Sequence, residues 1–212
     1  AVMKGEDEGI RCFCLAPSQP HQLSLISSSG GLVQLDLRQK ASQFSVHPLM
    51  DKEIKIRTVE AHPLRPELLV TAEPGTEAAA DGRGVVVWDC RSIRSRHDRL
   101  QSVERIRLSS PAQSASFSPA GDRILSFEYH NRIHLHSWDQ TSLKAEPLLS
   151  VEHRNAGYSF RPGWLGNEVW ATGSSTVHSI QAFRSTEETA GATLSRLRGT
   201  PHFLAAHPTH AA

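Results

Sequence analysis

Cysteine is scarce in this chain. Its 212 residues hold three, Cys12, Cys14 and Cys90. An odd number without framework spacing excludes a disulfide scaffold and fits a reducing compartment. Cys12-Phe13-Cys14 offers two metal ligands, but both fall on one face of an apolar strand and no second pair follows, so they read as buried, inert thiols. Excess charge of one sign is also lacking. Lys and Arg number 23 against 22 Asp and Glu, so the chain is no polycation, and nucleic-acid binding would have to come from a local patch. No apolar run approaches the ~18 residues of a membrane span, so no membrane partner is expected. Residues 1–9 form a polar, acidic tail rather than a signal peptide. Position 1 is Ala rather than Met, and the chain is expected to be a piece of a longer protein. Missing as well are the G-x-S-x-G elbow, the H-E-x-x-H helix, the Walker loop and the G-x-G-x-x-G turn. No enzyme, cofactor or metal site is expected.

What is present is an apolar, strand-forming chain with a repeat. Gly84-Val85-Val86-Val87-Trp88-Asp89-Cys90-Arg91 reads as a short buried strand, because three branched side chains in a row suit a pleated surface. A Trp-Asp pair closing such a strand is the signature dipeptide of a propeller blade. Leu35-Asp36-Leu37-Arg38 ends an earlier strand in the same manner, and the strands ending at His136 and Phe183 take the same place later. The strand-final residues Leu35, Trp88, His136 and Phe183 recur at a period of roughly 50 residues, as blades of several strands do.

Each period predicts four strands. The opening strands are 10–15, 54–61, 113–117 and a degraded 158–162, each followed by a Pro or Gly turn. The second strands are 22–27, 68–72, 123–127 and 168–172, the third are 31–37, 84–89, 132–137 and 177–183, and the polar outer strands are 43–47, 102–108, 147–151 and 193–197. The fold expected is all-β, a WD-repeat β-propeller with about four blades at 10–47, 54–108, 111–151 and 156–198, and the start of another at 201–212. Four blades of this length are too few to close a ring, so the chain is expected to be an incomplete arc. The small, acidic stretch from Glu73 to Arg83 reads as a mobile loop inserted between the second and third strands of the second blade.

Three groups of residues bear on chemistry. His130, His134 and His136 alternate along one strand, but no cysteine or carboxylate completes a metal site nearby, so they read as a polar strand face. Arg91, Arg94, Arg96, Arg99, Arg105 and Arg107 fall within 17 residues; this run is expected on the rim that carries Asp89. The opposite rim, made by the turns from second to third strands and by the links between blades, gathers the DNA-contact candidates. These are Lys52, Lys55, His130, Asn131, Arg132, His153, Arg154, Asn155 and Arg161. Such side chains contact phosphates and base edges.

These residues resemble a known family. Val59-Glu60-Ala61-His62-Pro63, Leu69-Val70-Thr71-Ala72 and Val87-Trp88-Asp89-Cys90-Arg91 look like a middle blade of the WD repeat-containing protein 76 / Cmr-type DNA damage-binding family. Residues 114–126, Asn131-Arg132-Ile133, the linker from Pro147 to Asn155 and Ala206-His207-Pro208-Thr209 extend the resemblance over roughly 10–209. It implies a seven-bladed nuclear propeller that binds DNA, with a preference for damaged or modified DNA. It also implies docking onto the DDB adaptor of cullin-4 ubiquitin ligases through a W-D-x-R box, matched by Trp88, Asp89 and Arg91 and, for its acid and base, by Asp36 and Arg38. Ser137 and Arg184 stand where that family's pattern has aspartate. The alternative is a protein-interaction scaffold without nucleic-acid binding.

Overall fold

Alternating apolar residues and short Pro/Gly turns give strands that pair with their sequence neighbours. A computed structural model of the chain describes residues 9–39, 45–48, 56–74, 84–92, 100–153, 161–174 and 178–195. Their strands form four antiparallel sheets of four strands each, every one a simple meander. The first sheet contains β1 (Ile10–Ala16), β2 (Gln19–Ser27), β3 (Gly31–Asp36) and β4 (Ser45–Pro48). The second contains β5 (Thr58–Ala61), β6 (Leu68–Glu73), β7 (Gly84–Asp89) and β8 (Ser102–Arg107). The third contains β9 (Ala112–Phe117), β10 (Arg123–Glu128), β11 (Arg132–Asp139) and β12 (Lys144–Glu152). The fourth contains β13 (Gly163–Trp164), β14 (Val169–Ser174), β15 (Ser179–Arg184) and β16 (Ala192–Leu194).

The sheets stack face on face, and the opening strands converge: β1 lies against β5, and β5 against β9. Because side chains alternate across a strand, each inner sheet has one face for each neighbour. Ile26 and Leu32 of the first sheet meet Val59, Leu69, Val86 and Trp88 of the second. The opposite face of the second sheet, Leu68, Val70, Val85 and Val87, meets Phe117, Ile124 and Trp138 of the third. Phe127, Leu135 and Val151 then pack on Trp170 and Phe183 of the fourth, whose rings stack at 4.3 Å. The first sheet's outward face lacks such a cover among the described residues. Phe13 and Leu15 stand opposite Leu25 and Leu23 on that face, and they are 65% and 48% exposed.

Polar groups fix the stacking. The Trp88 indole is buried and donates its Nε1–H to Thr71 Oγ1 at 2.8 Å. His62 is fully buried between the second and third sheets. Its Nδ1 accepts the backbone N–H groups of Leu64 and Arg65 at 3.2 and 3.1 Å. The proton therefore sits on Nε2, which donates to the Gly121 carbonyl at 2.9 Å. Burial lowers the His62 pKa, which keeps this tautomer neutral. Gly121 has φ 72°, and a Cβ there would stand 2.2 Å from His62 Cε1. Gly84, at φ 150°, is equally constrained, since a Cβ would meet the Ile106 carbonyl oxygen at 2.1 Å.

Several expectations change. Glu73 is the last residue of β6 rather than the first of a loop, and it is buried against Arg105 at 2.9 Å; residues 75–83 lie outside the described ones. Strand β11 runs two residues past Ser137 to Trp138-Asp139, because Trp138 packs edge-on against Phe117 at 6.1 Å. The fourth sheet opens on Gly163–Trp164, just after the stretch expected. Residues 54–55, 154–160 and 196–212, with the expected further opening strand at 201–212, fall outside the described part.

Candidate functional site

The meander sorts loops to two ends. The turns from first to second strand, and from third to fourth, share one end, here the turn end. The turns from second to third strand and the links between sheets share the other, the link end.

At the turn end, the ladders place Asp36 and Asp89 at equivalent positions, opposite Gln22 and Leu68. Each holds the arginine two residues on. Asp36 Oδ1 accepts the Arg38 N–H and Nε–H at 3.0 and 2.9 Å, and its Oδ2 takes Nη2 at 2.7 Å. Asp89 grips Arg91 through the same atoms, with N–H at 2.9 Å and Nε–H at 3.0 Å. These hydrogen bonds lower the pKa of both aspartates. In the third sheet, Ser137 occupies that register and Asp139 instead caps a turn, accepting from Thr141 N–H at 2.8 Å and Ser142 Oγ at 2.6 Å. In the fourth, Arg184 occupies it. Arg65 pairs with Glu67 at 3.1 Å and reaches the Gln140 carbonyl, while Arg123 pairs with Glu168 at 2.8 Å. The turn end is thus largely charge-compensated, Arg184 excepted, and Leu37 and Leu64 are exposed there.

The link end is built differently. Arg11 is the second residue of β1, Arg57 precedes β5, Arg107 ends β8, Arg132 begins β11 and Arg161 precedes β13. None forms an ion pair with a described residue; Arg11 donates Nε–H to the Ser28 carbonyl at 3.2 Å. The carboxylates of the inner sheets there point inward. Glu73 is buried beside Arg105; burial raises its pKa against the pull of that guanidinium. Glu128 is buried as well. Burial pushes its carboxyl up, but His134, the Ser109 hydroxyl at 2.9 Å and the Ser110 N–H at 3.0 Å outweigh that and hold it at about 2. Glu152, across from Arg132, is the exposed acid of the third sheet at this end. The outcome is guanidiniums facing solvent, with Glu73 and Glu128 sequestered and Glu152 left exposed across from Arg132.

The nine DNA-contact candidates separate. His130, Asn131 and Arg132 form the turn into β11, with Asn131 at φ 62° and its carbonyl accepting the His153 N–H at 2.6 Å. His130 and Arg132 are exposed. His153 turns inward: it is buried, and its Nε2 meets the Gly173 carbonyl at 2.7 Å, tying the third sheet to the fourth. Arg161 reaches toward the inner strands, where its charge acts on Cys12 and Glu60. Lys52, Lys55, Arg154 and Asn155 lie outside the described residues. Of the arginine run, Arg94, Arg96 and Arg99 also lie outside them, and Arg107 does not share the Asp89 rim. Strand β8 carries it away, to stand opposite Gly84 at the link end. Sequence reasoning passed over Arg11 and Arg57 and put Arg107 on the other rim; their place at strand starts and ends was the available signal.

His134 and His136 lie 6.3 Å apart between ring centres. Burial pushes His136 down to about 4, so its ring is neutral. Among the described residues no three His, Cys, Asp or Glu side chains come together as a metal site. The thiols of Cys12, Cys14 and Cys90 are free, and burial pushes them up to about 11, 12 and 12, far from the reactive range. Compared with known proteins, the sequence matches no family model and no curated protein.

Proposed function

We propose that the four sheets are blades of an incomplete seven-bladed WD-repeat propeller of the DNA damage-binding kind, and that the link end binds the phosphate backbone of DNA in the nucleus. The converging opening strands support the propeller reading. So does the uncovered face carrying Phe13 and Leu15. The ladders make these residues the equivalents of Val59 and Ala61, which the preceding sheet covers in the second blade.

One observation carries the DNA reading: Arg11, Arg57, Arg107, Arg132 and Arg161 share one end without ion pairs among the described residues, while at the other end Arg38, Arg65, Arg91 and Arg123 are paired and Arg184 alone of the arginines named there is not. Unpaired guanidiniums offer their charge to an external anion at little desolvation cost, and their fork matches a phosphate. Fluorescence anisotropy with a labelled duplex tests this. Reversal at Arg107 and Arg132 together is expected to abolish binding, and reversal at Arg38 and Arg91 to leave it. The opposite pattern would sink the assignment.

The turn end supports a second activity, as the docking edge of a substrate receptor for a cullin-4 ligase. Two blades repeat the same Asp-Arg ring there, Asp36–Arg38 and Asp89–Arg91, with Leu37 and Leu64 exposed nearby. Arg38→Ala with Arg91→Ala is expected to lose adaptor capture and keep DNA binding.

A further inference from the structure

A cavity of about 510 Å³ opens along the inner strands of the first and second sheets. Its wall includes every residue from 11 to 15 and from 58 to 61, with Pro17 and Arg161. Side chains alternate along a strand, so a cavity against a sheet face touches every second residue. Contact with each residue in turn means that this cavity follows strand edges, where backbone N–H and C=O groups point. Strands β1 and β5 are terminal in their sheets, so those edges pair with no other described strand.

The charges around the cavity are unbalanced. Arg11 and Arg161 are exposed and form no ion pair among the described residues. Glu60, exposed on the same wall, is the one acid among the residues lining the cavity, and the Arg161 charge acts on it. The cavity therefore carries two positive charges against one negative. Its volume falls within the ~300–1,000 Å³ of ordinary ligand pockets.

We propose that this cavity is a docking groove for an extended acidic peptide of a partner protein, which adds its main chain to the free strand edges and sets a carboxylate between Arg11 and Arg161. Strand addition gives affinity through main-chain hydrogen bonds, and the flanking side chains give selectivity. A nucleic-acid backbone offers acceptors but no alternating donors, so it satisfies the arginines and not the edges. A peptide satisfies both. The groove goes beyond the DNA reading and rests on the arginines beside the opening strands, whereas Arg107 lies on an outer strand and Arg132 on a third strand. Glu60 stands exposed on the same wall, and its carboxylate competes with an acidic ligand for Arg161.

The test is anisotropy of a fluorescein-labelled, end-capped octaglutamate with the 212-residue chain. Arg11→Glu with Arg161→Glu is expected to weaken binding at least tenfold, and Arg107→Glu with Arg132→Glu to change it less than twofold. N-methylation of alternate peptide bonds should abolish binding, and Glu60→Gln, which removes the competing carboxylate, should tighten it several-fold. Absence of binding, equal losses in the two double variants, or full affinity of the N-methylated peptide would each overturn the groove. Thermal unfolding unchanged in both double variants excludes misfolding, as their exposed positions predict. DNA binding that survives Arg107→Glu with Arg132→Glu overturns the nucleic-acid reading alone.

Discussion

Replacing Gly121 by alanine tests how the blades are held together. The new Cβ would lie 2.2 Å from Cε1 and 2.4 Å from Nε2 of a His62 ring that is fully buried. The ring cannot swing toward solvent, so it must leave its slot or push the turn away. Leaving the slot breaks the bond to the Gly121 carbonyl and the two backbone N–H bonds to Nδ1, whereas displacing the turn breaks the first alone, each bond being worth ~1 kcal/mol net. An L-residue at φ 72° adds ~1 kcal/mol. The sum is about 2–4 kcal/mol, which corresponds to a fall in Tm of roughly 10 °C for a chain of this size. Urea unfolding followed by tryptophan fluorescence measures it. A double-mutant cycle sharpens the test, because His62→Ala removes the ring with which the methyl collides. Gly121→Ala should then cost only its backbone share, a coupling of about 2 kcal/mol. Additive losses, or a single-variant loss below ~1 kcal/mol, would refute the reasoning.

Thr71→Val leaves the buried Trp88 N–H without its acceptor and should cost about 1–3 kcal/mol, while Thr71→Ser should cost less than half of that in the same urea titration. His136 takes its proton less readily when folded, at about 4, than when unfolded, at about 6.5. Its contribution to stability is therefore complete above pH 6.5 and is lost as the pH falls toward 4. Between pH 7 and 5 this amounts to about 2 kcal/mol, and His136→Leu should reduce the acid sensitivity of unfolding by that amount. Arg91→Ala removes an exposed ion pair and should leave the urea midpoint essentially unchanged, so that any loss of adaptor capture by this variant reflects the lost guanidinium.

The repeat was legible because pleat and register are local. Leu35, Trp88, His136 and Phe183 hold equal ladder positions, opposite Leu23, Leu69, Ile124 and Trp170. Equal spacing of apolar strand ends carries that information without any long-range contact. Trp138-Asp139 escaped because register, not the dipeptide, decides equivalence, and Ser137 already holds the place of Asp89. Glu73 looked like loop because Pro74 and Gly75 follow it; its partner Arg105 lies 32 positions away, beyond any local pattern. His153 looked like a surface cation beside Arg154, yet the Gly173 carbonyl 20 residues on draws it inside. The link-end arginines are unremarkable one by one in sequence. Their significance comes from topology, which gathers them, and from acids such as Glu73 and Glu128 that are turned inward and partnered elsewhere.

The most direct test of a phosphate-binding link end is the salt dependence of duplex binding. Each phosphate contact contributes about −0.9 to the slope of log K against log salt for duplex DNA. Arg107→Gln with Arg132→Gln should make the slope shallower by about 2, and Arg38→Gln with Arg91→Gln should leave it unchanged. An unaltered slope in the first pair, or an equal change in both, would contradict the account.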